Sequence, residues 1–254
     1  MKWFDYDSLR FAVNDGMILT MENMDYETPK SVTLPVITPD GENINSLGTS
    51  FCIGKFKEII VPDEIRTAAA GAFSYTLVDN VIWSKNCKVI PDRCFYGSYI
   101  SSISNIQDVV EISTAAFASS KIQEVVWPNN CFTIPARCFY GSCISKVGNI
   151  DRVSSILFDA FEGSHIKSIE WPSACCTVPK LCFANSRLKE ISNVSSITDI
   201  EYGAFANSKV KYLDLSSLLS LRIGVKAFSG LSPQNIILPY YFTDDDNLDL
   251  FYRS

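Results

Sequence analysis

The sequence predicts a right-handed parallel β-solenoid, and three observations carry that prediction. Phenylalanine stands at 51, 73, 95, 117, 139, 161, 183 and 205, each 22 residues after the last, and again at 228 after a step of 23. A period of this size marks stacked supersecondary units, each of which buries its apolar face only against a neighbour. Whole columns also share one chemistry. Five places after each Phe come Phe56, Val78, Ile100, Ile122, Ile144, Ile166, Leu188 and Val210. Eight after come Ile59, Val81, Ile103, Val125, Val147, Ile169, Ile191 and Leu213. The third observation is a bend signal: Gly-Ser, Ala-Ser or Asn-Ser follows closely on Phe95 and every Phe up to Phe205. β-Branched columns suit strands. Equivalent strands on successive coils lie about 4.8 Å apart in a parallel sheet, and each needs a return path of about a dozen residues.

Taken in order, residues 1–50 fall outside the strict period and read as an N-terminal cap. LRFAV and MILTM flank Asn14-Asp15-Gly16, a turn that tolerates positive φ, so a hairpin is expected there. Val32, Leu34 and Pro35 then imitate the later Ile-x-Trp-Pro pattern with extra residues around Pro39-Asp40-Gly41, as a degenerate first repeat would. Residues 51–239 form the array, and 240–254 a C-terminal cap or tail. Within the array, Thr76, Ser98, Ser120, Ser142, Ser164, Ser186 and Ser208 stand three places after Phe. Hydroxyls at a buried bend cap backbone groups left unpaired by the coil. Isoleucine or valine stands five places before the next Phe at 90, 112, 134, 156, 178 and 200 and defines an apolar column on the return path.

Composition narrows the function classes. A net charge of −6 argues against tracking nucleic-acid phosphates. No stretch reaches the 18 or so apolar residues of a membrane span, and the start shows neither an apolar core nor a cleavage site for export. The nine cysteines read as packing rather than chemistry. Cys94, Cys138 and Cys182 alternate with alanine just before Phe, and Cys87, Cys131 and Cys175 alternate with Val or Ile eight places before it. Equivalent cysteines two coils apart are about 10 Å from one another, too far for a disulfide. That pattern suits a reducing compartment. Cys52, Cys143 and Cys176 remain, with Cys176 expected to be exposed. No zinc spacing exists, and His165, the single histidine, falls at a bend where a solvated surface residue is expected. No phosphate, dinucleotide or hydrolase motif occurs, so neither a cofactor nor a metal is expected and the chain reads as non-enzymatic.

A second period of 44 overlies the first. Trp83, Trp127 and Trp171 share a column, ten places after Phe, with Asn105, Asn149 and Asn193, and Pro91, Pro135 and Pro179 recur in the tryptophan-bearing units. The pattern Ile-x-x-Val-x-Trp-Pro, then an Ile, then Ala-x-Cys-Phe or Ala-Ala-Phe, resembles the BspA-like, Treponema-type leucine-rich repeat over roughly residues 51–239. The resemblance implies a leucine-rich-repeat solenoid used for interaction or adhesion, often displayed at a cell surface.

Period-two alternation puts places eight and ten inward and places seven and nine on the open sheet face. One exposed row is then Glu58, Asn80, Ser102, Glu124, Lys146, Ser168, Glu190 and Tyr212, and the next holds Ile60, Ile82, Ser104, Val126, Gly148, Glu170, Ser192, Asp214 and Ile237. Lys57, Lys167, Lys189 and Lys211 flank these rows, so no single-sign field is expected. Ile60, Ile82 and Val126 on an open sheet suggest a contact surface. A protein partner docking there, on Glu58, Ile60, Ile82, Glu124, Val126, Lys146, Glu170, Glu190, Tyr212 and Asp214, is the leading expectation. Val61, Leu215 and Leu238 at place ten of other units favour burial of the tryptophan column; the alternative is a glycan stacked on an exposed Trp83/Trp127/Trp171 ladder. Asn193-Val194-Ser195 is a formal glycosylation sequon in a column expected to be partly buried.

Overall fold

A computed structural model describes residues 1–23, 29–242 and 249–251. The chain divides into two compact units, Met1–Cys131 and Phe132–Ser254, and each is a stretch of parallel β-solenoid.

The first unit opens with an antiparallel meander of β1 (Lys2–Tyr6), β2 (Leu9–Asn14) and β3 (Met17–Glu22). The hairpin expected around Asp15-Gly16 is the β2–β3 turn. A second hairpin precedes it, and its strand β1 was not foreseen. Both turns carry two consecutive positive φ values, 49° and 59° at Asp7-Ser8 and 49° and 72° at Asp15-Gly16. That geometry twists with the strands it joins. Leu9, Phe11 and Val13 are buried and close the open end of the core. Lys2 pins the meander to the first repeat, its Nζ donating to Asp40 at 2.6 Å and Glu42 at 2.7 Å.

The stretch read as a degenerate repeat pairs with the first strand of the array. Lys30–Thr33 lies parallel to Lys55–Ile60 with Val32 opposite Ile59, and the Leu34 amide donates to the Ile60 carbonyl at 3.0 Å. Leu77–Ile82 and Ser102–Ser104 continue this sheet. The return path is more regular than an irregular loop. Its Ile column forms two-residue parallel strands of its own, Val89–Ile90 on Glu111–Ile112 in the first unit.

The second unit repeats the plan. Its front strands include Ser168–Glu170 on Glu190–Ser192 and Leu213–Asp214 on Ile236–Ile237. Its return strands include Thr177–Val178, Asp199–Ile200 and Arg222–Ile223 in one ladder. At the C-terminal end Phe228 donates its amide to the Leu250 carbonyl, and the Phe251 ring lies 5.5 Å from that of Phe228. A last partial rung stands at 249–251, while residues 243–248 and 252–254 of the expected C-terminal cap lie outside the described residues.

The phenylalanine period is a column of stacked rings. Phe139, Phe161, Phe183, Phe205 and Phe228 follow one another at 5.4–5.7 Å with interplanar angles of 11–17°. Each of these Phe amides donates to the carbonyl just before the next Phe of its column, as from Phe161 to Cys182 at 2.9 Å, so the bend is itself a ladder. The hydroxyl three places on does cap the bend where Thr76, Ser120, Ser142 and Ser186 donate to the carbonyl of their own Phe at 2.7–2.8 Å. Ser98, Ser164 and Ser208 are buried in the same column without a partner for Oγ. The bend needs two left-handed residues per coil. Two places before Phe, Arg93, Ala115, Arg137, Asp159, Leu181 and Lys226 hold φ between 52° and 60°. An L side chain there costs about 1–2 kcal/mol, which the surrounding ladder must overcome.

Candidate functional site

The two rows read from the sequence are exposed or half-exposed along the front sheet. In the Met1–Cys131 unit Glu58, Ile60, Asn80 and Ile82 are half-exposed, Glu124 is exposed and Val126 is 58 % exposed. The long Lys55–Ile60 and Leu77–Ile82 strands hold the first four in register, Glu58 against Asn80 and Ile60 against Ile82. The Asn80 amide donates to Glu58 Oε2 at 2.6 Å, and Ser102 Oγ donates to Asn80 Oδ1 at 2.9 Å. This polar ladder fixes one row beside the apolar pair Ile60 and Ile82.

In the Phe132–Ser254 unit Lys146, Glu170, Glu190, Tyr212 and Asp214 are all exposed. Four of them, Lys146, Glu170, Glu190 and Tyr212, line one open depression of about 660 Å³ whose floor includes Val147, Ile169 and Ile191. Strand register keeps the acids apart, with Glu190 opposite Ser168 and Glu170 opposite Ser192. Gly148 leaves the row open, since a Cβ built on it meets nothing within 4 Å. At the far end Asp214 accepts from the Ser216 amide at 2.9 Å and hydroxyl at 2.6 Å, which holds its carboxyl below the usual range. The Asp214 charge in turn raises the Tyr212 phenol, whose Oη donates to it at 3.3 Å. The depression thus combines an apolar floor, a cation, two carboxylates and a Tyr ring.

The exposed tryptophan ladder is corrected. Trp83, Trp127 and Trp171 are 0 %, 1 % and 0 % exposed, and each indole N–H donates to a backbone carbonyl four residues on, at Cys87, Cys131 and Cys175, at 2.8–2.9 Å. Place ten lies on the inward pleat, so these rings are core and offer a sugar no face. The asparagines of the same column differ. Asn105, Asn149 and Asn193 adopt φ of 62°, 61° and 59°, and only Asn105 is half-buried. Asn193 is exposed, contrary to expectation, because its left-handed backbone turns it out of the strand. Its amide nonetheless donates to the Trp171 carbonyl at 2.7 Å.

The six column cysteines are buried, and Cys176 is exposed as expected. Burial pushes the Cys87, Cys131 and Cys175 thiols up to about 11 and those of Cys94 and Cys182 well above their usual value, the reverse of what a nucleophile needs. His165 is half-buried rather than fully solvated. Among the described residues no group of three His, Cys, Asp or Glu side chains could hold a metal ion, and no helix is long and apolar enough to cross a membrane. Sequence reasoning overlooked the aromatics of the return side. Phe158, 49 % exposed, lies under the Arg137 guanidinium at 6.0 Å, and Tyr202, 43 % exposed, under Lys180 at 5.9 Å. Both stand three places before Phe, a column that a tabulation of every place would have exposed.

Similarity to known proteins agrees with this geometry. A leucine-rich repeat protein from Bacteroides ovatus aligns with a TM-score of 0.69 at 19 % identity, covering 90 % of this chain and 70 % of that one. A leucine rich cell surface protein from Faecalibacterium prausnitzii aligns at 15 % identity over 100 % of this chain and 98 % of that one, with a TM-score of 0.40. A leucine-rich repeat protein from Eubacterium ventriosum aligns at 15 % identity over 95 % and 75 %, with a TM-score of 0.44. No curated protein matches the chain. The sequence description of the BspA type leucine rich repeat region matches residues 36–146 and 110–235 in 6 copies, and the chain belongs to that family.

Proposed function

We propose that this protein is a non-catalytic recognition scaffold that binds a protein partner through its exposed sheet face. The observation that carries the reading is the depression in the Phe132–Ser254 unit, where Lys146, Glu170, Glu190 and Tyr212 surround an apolar floor. Protein contact sites combine an apolar centre with a polar rim, and Tyr is among the residues on which binding energy concentrates. The half-exposed Ile60 and Ile82 and the exposed Val126 give the face of the first unit a similar mixture.

The test is capture by the immobilised full chain from cell-surface extracts, with bound proteins quantified by mass spectrometry. A Glu190→Ala/Tyr212→Ala variant should lose at least about tenfold of the specific capture, the effect of removing one central contact of about 1.4 kcal/mol. A Phe158→Ala/Tyr202→Ala variant on the return side should retain it. Capture that survives the sheet-face substitutions sinks the reading.

A further inference from the structure

The Phe132–Ser254 unit carries an edge of one charge sign beside the sheet face. Four places after Phe stand His165, Arg187 and Lys209, and six places after stand Lys167, Lys189 and Lys211. Arg187, Lys209 and the three lysines at place six are exposed. Backbone bonds align the columns. The Lys189 amide donates to the Lys167 carbonyl at 2.8 Å, the Lys211 amide to the Lys189 carbonyl at 3.2 Å, and the Lys209 amide to the Leu188 carbonyl at 2.9 Å. Successive coils of such a ladder are about 4.8 Å apart. Three lysines are therefore stacked on consecutive coils, next to an Arg–Lys pair.

None of these five cations is seen in an ion pair among the described residues, unlike Lys2, Arg137 and Arg222. Like charges held opposite one another on neighbouring strands destabilise them. A net charge of −6 leaves carboxylates in plenty, yet of the residues next to the three stacked lysines in the chain only Glu190 is acidic, the others being Ile166, Ser168, Leu188, Val210 and Tyr212. Asn185 and Asn207 stand two places before Arg187 and Lys209; the Asn207 amide donates to Asn185 Oδ1 at 3.3 Å, and the Asn185 amide donates to Glu162 Oε1 at 3.5 Å. Glu170 and Glu190 belong to the sheet-face depression and bound the stripe on one side.

We infer that this edge binds a linear polyanion of the sulfated polysaccharide class. Arg and Lys form charge-assisted hydrogen bonds with sulfate-type oxygens, which suits the five exposed cations of this edge. The stripe spans about 10 Å over three coils, narrow enough for one extended chain. Nucleic acid fits less well. A duplex carries a charge about every 1.7 Å and would press its phosphates on the acidic remainder of the chain. A single strand wants aromatic stacking platforms, and places four and six of this unit hold no Phe, Tyr or Trp.

Heparin is the probe, titrated by calorimetry into the full chain at about 0.15 M salt. The wild type should bind, and Lys167→Ser/Lys189→Ser/Lys211→Ser should weaken binding at least about tenfold by removing three charged contacts. Lys57→Ser/Lys88→Ser/Lys121→Ser, an equal charge change in the other unit, should leave affinity within about twofold. The stacked-lysine variant should melt no lower than wild type, because repulsion has been removed; if serine lowers the melt, the same three positions changed to Gln supply the binding comparison. Absence of heparin binding by the wild type, or equal loss in both variants, overturns the assignment. Tighter binding of duplex DNA than of heparin overturns it in favour of nucleic acid.

Discussion

Phe161→Ala tests the ring column at its centre. The Phe161 ring is 0 % exposed and lies 5.4 Å from Phe139 at 15° and 5.4 Å from Phe183 at 11°. Truncating a buried Phe to Ala removes about 3–5 kcal/mol, more where the site cannot collapse. Each stacked partner adds about 0.5–1.5 kcal/mol beyond burial of area. Collapse is resisted here because the Phe161 amide donates to Cys182 at 2.9 Å while the Phe139 amide donates to Ala160 at 2.8 Å, fixing the backbone on both sides. The expected loss is therefore about 5 kcal/mol. At about 2–4 °C per kcal/mol for a chain of this size, the Tm should fall by roughly 10–20 °C. Urea unfolding followed by tryptophan fluorescence measures the free energy, and circular dichroism the melt. Phe161→Leu, which keeps most of the volume, should lose only about 1–1.5 kcal/mol. A loss below about 2 kcal/mol for the alanine variant would refute the column as a principal support of the array.

The bend, the thiols, the cap and the indoles give further tests. Ala115 holds φ of 55°, so Ala115→Gly should stabilise by about 0.5–1 kcal/mol in a urea titration, glycine relieving more strain than it adds entropy. An aromatic disulfide reagent should label Cys176 rapidly in the native protein and the six column cysteines only on unfolding, counted by mass spectrometry. Lys2 holds the Asp40 and Glu42 carboxyls below their usual range, so this link stabilises the cap above that range and is lost as pH falls through the lowered values. Proteolysis of the N-terminal meander against pH should show that loss, and Lys2→Met should remove the dependence. Acrylamide should quench Trp3, 44 % exposed, and spare Trp83, Trp127 and Trp171 in the folded protein.

Much of this architecture was legible because repetition turns one sequence into its own alignment. Eight equivalents of Ile59 say more than Ile59 does, and the exposure of Glu124, Lys146, Glu170 and Glu190 follows from period two within each strand. Features without a repeat were not legible. Strand β1 is held by Asp7-Ser8, a pair with ordinary turn propensity whose double positive φ has no sequence signature as strong as Asp-Gly. The depression that gathers Lys146, Glu170, Glu190 and Tyr212 depends on how far Val147 and Ile191 sink below the face, and a column of apolar letters does not encode depth. The basic edge was missed for another reason. Lys167, Lys189 and Lys211 are visible in the sequence as residues flanking the rows, but the place-four column with Arg187 and Lys209 goes unread, so the expectation of no single-sign field fails locally here.

The 44-residue period shows in the backbone. In the tryptophan coils place ten points inward and place eleven is Ser84, Pro128 or Pro172. Place eleven is buried in those coils too; in the asparagine coils, where place ten is left-handed, it is Ile106, Ile150 or the half-exposed Val194. Ile106 and Ile150 are 2 % and 7 % exposed. One large ring thus alternates with one medium aliphatic chain supplied a residue later. The cysteines follow the same alternation, since Cys87, Cys131 and Cys175 occupy tryptophan coils where asparagine coils have Val109, Val153 and Ile197. The bulk of indole is offset by a smaller neighbour, as close packing requires. The surface changes with the core. Where Asn149 replaces a ring beside Trp171, the Phe132–Ser254 unit has an open depression of about 390 Å³ lined by Gly148, Asn149, Asp151, Pro172 and Asn193. Tryptophan therefore shapes the surface from within: it fills alternate coils, and the coils between them give the face its relief.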